Sequence, residues 1–93
     1  MAKVSIPALM RPLTGGLAEV EAEGATVRKV LENLGSRFPG LLEKLLENGR
    51  LRPGLAVAID GEISPLGLIE SVPPDAEIHF VAAVRGGSAR SIR

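Results

Sequence analysis

The apolar positions of this chain change period twice, from two to helical and back to two, and each change marks a new kind of element. Lys3-Val4-Ser5-Ile6 alternates polar with apolar and stops at Pro7, the pattern of an opening strand. Arg11-Pro12-Leu13-Thr14-Gly15-Gly16 reads as a loop whose glycines supply the positive φ of a tight reversal. From Leu17 to Glu23 the alternation returns, with Ala18, Val20 and Ala22 inward and Glu19, Glu21 and Glu23 toward water, so a hairpin is expected. Thr26 is then an N-cap. Val27, Val30, Leu31, Leu34 and Phe38 follow at helical spacing, with Gly35 a weak point and Pro39-Gly40 the end. Leu41, Leu42, Leu45 and Leu46 predict a second short helix closed by Asn48-Gly49. Beyond Pro53-Gly54 the period is two again: Leu55, Val57 and Ile59 alternate up to Asp60-Gly61, a hairpin turn signal, and a short partner lies at Glu62-Ile63. Pro65 to Glu70 is irregular or a short helical turn, and Val72-Pro73-Pro74-Asp75 is a loop. The last strand, Glu77 to Val84, sets Ile78, Phe80, Ala82 and Val84 against Glu77, His79, Val81 and Ala83.

Two hairpins flanking a helix, with first and last strands able to lie side by side, predict an α+β chain of the β-grasp, or ubiquitin-like, type. The expectation is a mixed sheet of four to five strands packed on one main helix, with a short second helix. A ferredoxin-like sandwich would need a second long helix between the later strands, and Leu41 to Leu46 is too early and too short for that. The domain is expected to span residues 1–84, with residues 85–93 a flexible tail. That tail holds Gly86-Gly87, a pair that can enter a narrow cleft in backbone conformations closed to other residues.

Composition removes most chemistry. At 93 residues the chain makes one domain with one modest core. It has no cysteine, which excludes disulfides, thiolate metal sites and a cysteine nucleophile, and its one histidine excludes histidine-rich metal sites. His79 lies on the polar parity of a strand, where an exposed imidazole is the ordinary reading. No serine has a Gly-x-Ser-x-Gly context. Asp60 and Glu62 flank a turn glycine and serve turn chemistry rather than acid/base work, and Gly15-Gly16 lacks the Gly-Lys-Ser/Thr of a phosphate loop. No catalytic or metal site is therefore expected. No apolar run approaches the roughly 20 residues that span a bilayer, and the chain reads as cytoplasmic. Its net charge of zero divides unevenly: eight basic against 11 acidic residues up to Val84 leave −3, and Arg85, Arg90 and Arg93 supply +3. Three arginines with no aromatic residue among them read as a solvated tail rather than a nucleic-acid site.

One surface feature remains. If Ile78 and Phe80 point to the helix, Val81 and Ala83 sit on the other sheet face, as do Ala56 and Ala58 of the neighbouring strand. Small apolar residues there mark either a face meant to be covered by a partner or a neutral surface, and a bulge that slips the parity would remove the feature.

The opening Val4-Ser5-Ile6-Pro7-Ala8-Leu9-Met10-Arg11-Pro12-Leu13-Thr14-Gly15-Gly16 and the end Val84-Arg85-Gly86-Gly87 resemble the small ubiquitin-like sulfur carriers. That family includes the small subunit of molybdopterin synthase and the thiamine sulfur carrier, and the opening most resembles the branch serving cysteine synthesis. The resemblance implies that an E1-like enzyme uses ATP to adenylate the carboxylate of Gly87. Sulfide or a persulfide then displaces AMP to leave a thiocarboxylate, which a separate synthase accepts. Gly86 would give clearance, Arg85 would guide the arm, and Ala56, Ala58, Val81 and Ala83 would dock the body. No cofactor would be bound, since ATP belongs to the activating enzyme. The departure is Ser88 to Arg93, six residues reaching at most about 20 Å, where the family usually ends at Gly-Gly. A JAMM-type metalloprotease cutting between Gly87 and Ser88 would resolve it. The alternatives are a lost carrier role, leaving a ubiquitin-like binding module, or a tail foreign to the natural chain. The acceptor would be a cysteine synthase or, as the alternative pathway, the large subunit of molybdopterin synthase.

Overall fold

The first and last strands do lie side by side. In the computed structural model, which describes residues 1–82, β1 (Ala2–Ser5) pairs in parallel with β7 (Glu77–Ala82), with Lys3 opposite Glu77 and Val4 opposite Ile78. β1 also pairs antiparallel with β2 (Glu19–Ala22), while β7 pairs antiparallel with β5 (Leu55–Ile59) and β5 with β6 (Glu62–Ile63). The resulting five-stranded order is β2-β1-β7-β5-β6, so the last strand is central. This is the expected β-grasp. Among the described residues no helix is long and apolar enough to cross a membrane.

The helical stripe lies on one face of this sheet. Val27, Val30, Leu31 and Leu34 of α1 (Val27–Arg37) are buried together with Val4, Val20, Val57 and Ile78 of the strands. Leu41 and Leu45 of α2 (Leu41–Leu45) extend the same core. The start of α1 is fixed as expected: the Thr26 hydroxyl accepts from the Lys29 N–H at 3.3 Å. A second free donor of that turn, the Val27 N–H, reaches the Glu70 carbonyl at 3.0 Å, tying the helix to the loop before β7.

Four details differ from the sequence reading. Residues 11–16, expected as loop, belong mostly to a 3₁₀ segment, Ala8–Thr14, ended by left-handed Gly15 and Gly16 (φ 67° and 89°). Ala18 is exposed, because β2 begins one residue later; only its carbonyl joins the sheet, accepting from the Ile6 N–H at 2.8 Å. Asn48-Gly49 does not close a helix. It turns a short hairpin between β3 (Leu46–Glu47) and β4 (Arg50–Leu51), with φ of 56° and 77°, the same left-handed pair that Asp60-Gly61 uses at 51° and 88°. The hairpin forms because Leu46 faces Leu51 across it and both pack on the core.

Gly35 is the fourth. It weakens α1 by propensity, but a Cβ there would lie 2.5 Å from Leu42 Cδ1, so the missing side chain lets α2 close on α1. Gly24 is stricter, since a Cβ would strike the backbone nitrogen of Val30 and lie 2.7 Å from the Lys29 carbonyl carbon. Gly24→Ala is expected to lower stability by about 1–3 kcal/mol, because backbone cannot give way as a side chain can. Gly35→Ala should cost less, the Leu42 clash being offset by up to about 1 kcal/mol of helix propensity. Urea midpoints of the two variants check this order, and equal midpoints would refute it.

Candidate functional site

The site expected from the sequence is the end of β7 and the chain that follows it. Ala83, Val84, Arg85, Gly86, Gly87 and Ser88 lie outside the described residues, so the structure bears on what holds that segment. β7 is laddered on both sides, to β1 and to β5, and the pairing runs to Ala82 opposite Leu55. A central strand cannot slip by one residue without turning Ile78 out of the core. Its start is clamped as well: Asp60 Oδ1 accepts from the Glu77 N–H at 2.9 Å, and the Asp60 N–H donates to the Glu77 carbonyl at 2.8 Å. Asp60, considered above as half of a carboxylate pair, is thus the tie between the β5–β6 turn and β7. Gly87 stands five residues past Ala82, so it lies within about 18 Å of the sheet in any conformation.

Parity on the sheet holds, and the face away from α1 divides in two. On the β2–β1 side Lys3 stands between Glu21 and Glu77, opposite charges facing across strands. His79 is exposed there, its Nε2 3.9 Å from Glu77 Oε1. On the β5–β6 side the face is apolar. Ala56 is directly opposite Val81, and both are half-buried. Ala58 faces His79 on one side and Ile63 on the other, and with only 7% exposure it is shaded by these larger neighbours. It lies on the expected face but offers a partner almost no area. Ile63, 57% exposed, offers the area instead. The sequence reading passed over Ile63 because a strand of two residues, β6, has no alternation to read; its register with Ala58 is the signal that finds it. Ala83, the fourth expected docking residue, lies outside the described residues. Among the described residues no three acidic or histidine side chains converge as a metal site.

Comparison with known proteins agrees with this geometry. The ThiS family model matches residues 4–87. The sulfur carrier protein CysO of Mycobacterium tuberculosis is 30% identical over 89 residues, covering 90% of this chain and 96% of that protein. The CysO of the Amycolatopsis orientalis BexX/CysO complex superposes with a TM-score of 0.84 at 32% identity, covering 94% of this chain and 100% of that one. The crystal structure of Mycobacterium tuberculosis CysO gives 0.83 at 27% identity, over 89% and 99%.

The role given to Asp60 has a direct check. Asp60→Ala removes an acceptor and leaves alanine at a φ of 51°, so a loss of about 1–2 kcal/mol is expected. Hydrogen exchange at the Glu77 amide should quicken most. Unchanged exchange there would contradict the clamp.

Proposed function

The chain belongs to the ThiS family of ubiquitin-like sulfur carriers, proteins that are consumed and regenerated as substrates rather than acting as catalysts, and we propose that it carries sulfur for cysteine synthesis on Gly87 after losing Ser88 to Arg93. One observation supports this above the rest: the family match stops at Gly87, at the junction where the sequence reading sets the cleavage. The likeness to CysO over nearly its whole length favours the cysteine branch.

The chemistry follows from the carboxyl group. A carboxylate is a poor acyl donor, so its oxygen first attacks the α-phosphorus of ATP and pyrophosphate leaves. Sulfide then attacks the acyl carbon, AMP departs with the bonding pair, and a thiocarboxylate remains. Its sulfur is nucleophilic and is presented on an arm without side chains at its last two positions. The sheet up to Ala82 supplies the base and residues 85–87 the reach, with Arg85 as a guide and Gly86 as clearance. ATP is spent by the E1-like adenylating enzyme and none is held by this chain. A JAMM-type metalloprotease opens the Gly87–Ser88 bond, a cysteine synthase accepts the sulfur, and the work is cytoplasmic. The sheet face bearing Ala56, Val81 and Ile63 docks the body.

Intact mass of the protein from its native cell tests the processing, with a species ending at Gly87 and one oxygen exchanged for sulfur as the expected result. In vitro, the form ending at Gly87 should release pyrophosphate with its activating enzyme, and Gly87→Val should abolish thiocarboxylate formation. A full-length mass that persists under sulfur-limited growth would overturn the reading.

A further inference from the structure

The sheet face bearing Ala56, Val81 and Ile63 does not include the most exposed large apolar side chain among the described residues. Leu9 is 95% exposed, against 50–68% for the other exposed large hydrophobics. It is not carried on a loose loop. The Met10 N–H donates to the Pro7 carbonyl at 2.9 Å, and Arg11 Nε donates to the Ile6 carbonyl at 3.1 Å. Thr14, 2% exposed, holds its hydroxyl 3.0 Å from the Arg11 carbonyl and 2.9 Å from that of Leu17. The 3₁₀ segment is therefore braced at both ends, and its far side packs on α2. A leucine held in water on a braced backbone contributes nothing to this core, and the backbone part of the ordering that a contact would cost is already met.

Its location follows from the register. β1 and β7 run parallel, so the chain leaving β1 at Ser5 emerges at the same end of the sheet as the chain leaving β7 at Ala82. Ser5 is opposite Glu19 and Leu55 opposite Ala82, which brings half-exposed Leu17 to that end too. Gly87 cannot be more than about 18 Å from Ala82. An enzyme that works on the Gly87 carboxylate must meet this end of the domain.

The geometry points to Leu9, seconded by Leu17, as the anchor by which the adenylating enzyme recognises this chain, received in an apolar pocket beside the entrance to its active site. This rests on the function proposed above and names its partner surface. Adenylation is the step that most needs such an anchor. The group attacked is a glycine carboxylate preceded by glycine, and neither residue has a side chain to distinguish it from any other chain ending the same way. Selectivity must come from the body within reach of the arm, and there Leu9 is the largest apolar area not used by the fold.

The test is pyrophosphate release by the adenylating enzyme of the source organism, with the form ending at Gly87 as the varied substrate. Leu9→Ser should raise KM about tenfold, the ratio that about 1.4 kcal/mol represents, with kcat unchanged, as for binding that is uniform along the reaction. Leu9→Met should restore most of the affinity. Ile69→Ser, at a 68% exposed leucine-sized side chain beside the start of α1 at the opposite end, should leave both constants unchanged. Equal thermal midpoints for Leu9→Ser and the unaltered chain are expected, because the side chain touches no core residue. Leu9→Ser with an unaltered KM overturns the anchor while leaving the carrier reading intact. No pyrophosphate release from the unaltered Gly87 form overturns both.

Discussion

The parallel pairing of β1 with β7 is the constraint on which the rest of this molecule depends. It closes the domain by joining the two ends of the described chain, and it places the strand that leads to Gly87 in the middle of the sheet rather than at an edge. An edge strand has one ladder and can fray, whereas this one is held by β1 at Glu77 and Ile78, by β5 from Ile78 to Ala82, and at its start by Asp60. The strand that leads to the arm is thus anchored on both sides at its start and paired with β5 as far as Ala82. For the carrier role proposed above, that anchoring matters more than any exposed side chain in the body.

Packing carries the constraint outward. Val4 and Ile78, opposite each other across the parallel pair, are fully buried beneath α1. The helix can lie this close because its start is pinned to the loop before β7 through Val27 and Glu70, and because Gly24 leaves room for its first turn. α2 closes over the other end of α1 at Gly35 and in turn supports the 3₁₀ segment that holds Leu9. The helical layer and the exit end of the sheet are therefore mechanically one unit, although the residues that connect them are far apart in sequence.

What was legible in the sequence was whatever repeats. The stripe of Val27, Val30, Leu31 and Leu34 spans two turns, and β5 and β7 alternate long enough to set their own parity, so helix, sheet order and the face bearing Ala56 and Val81 were all readable. Features built from one or two residues were not. Asn48-Gly49 obeys the same turn chemistry as Asp60-Gly61, but strands of two residues give no period, and the leucines before it read as helix. Gly35 reads as a helix fault when only its own segment is considered and as a packing requirement once Leu42 is beside it. Ala58 kept its parity and lost its exposure, since the shade of His79 and Ile63 is a property of three strands together. Gly86-Gly87 stands out by residue type alone and lies outside the described residues.

The two halves of the sheet face follow from the same arrangement. Lys3 between Glu21 and Glu77 offsets part of their charge, so the β2–β1 half stays charged and hydrated and has little to gain from being covered. The β5–β6 half, with Ala56, Val81 and Ile63, loses little on desolvation and carries no ion to strand. In the carrier role proposed above, a body that binds, delivers its arm and then leaves is better served by modest apolar contacts than by buried ion pairs, whose desolvation would make affinity hang on a single geometry. Because the arm is short, those contacts act only if they lie within its reach of an active site. Central placement of β7 satisfies that requirement for the sheet face and for the exit end alike.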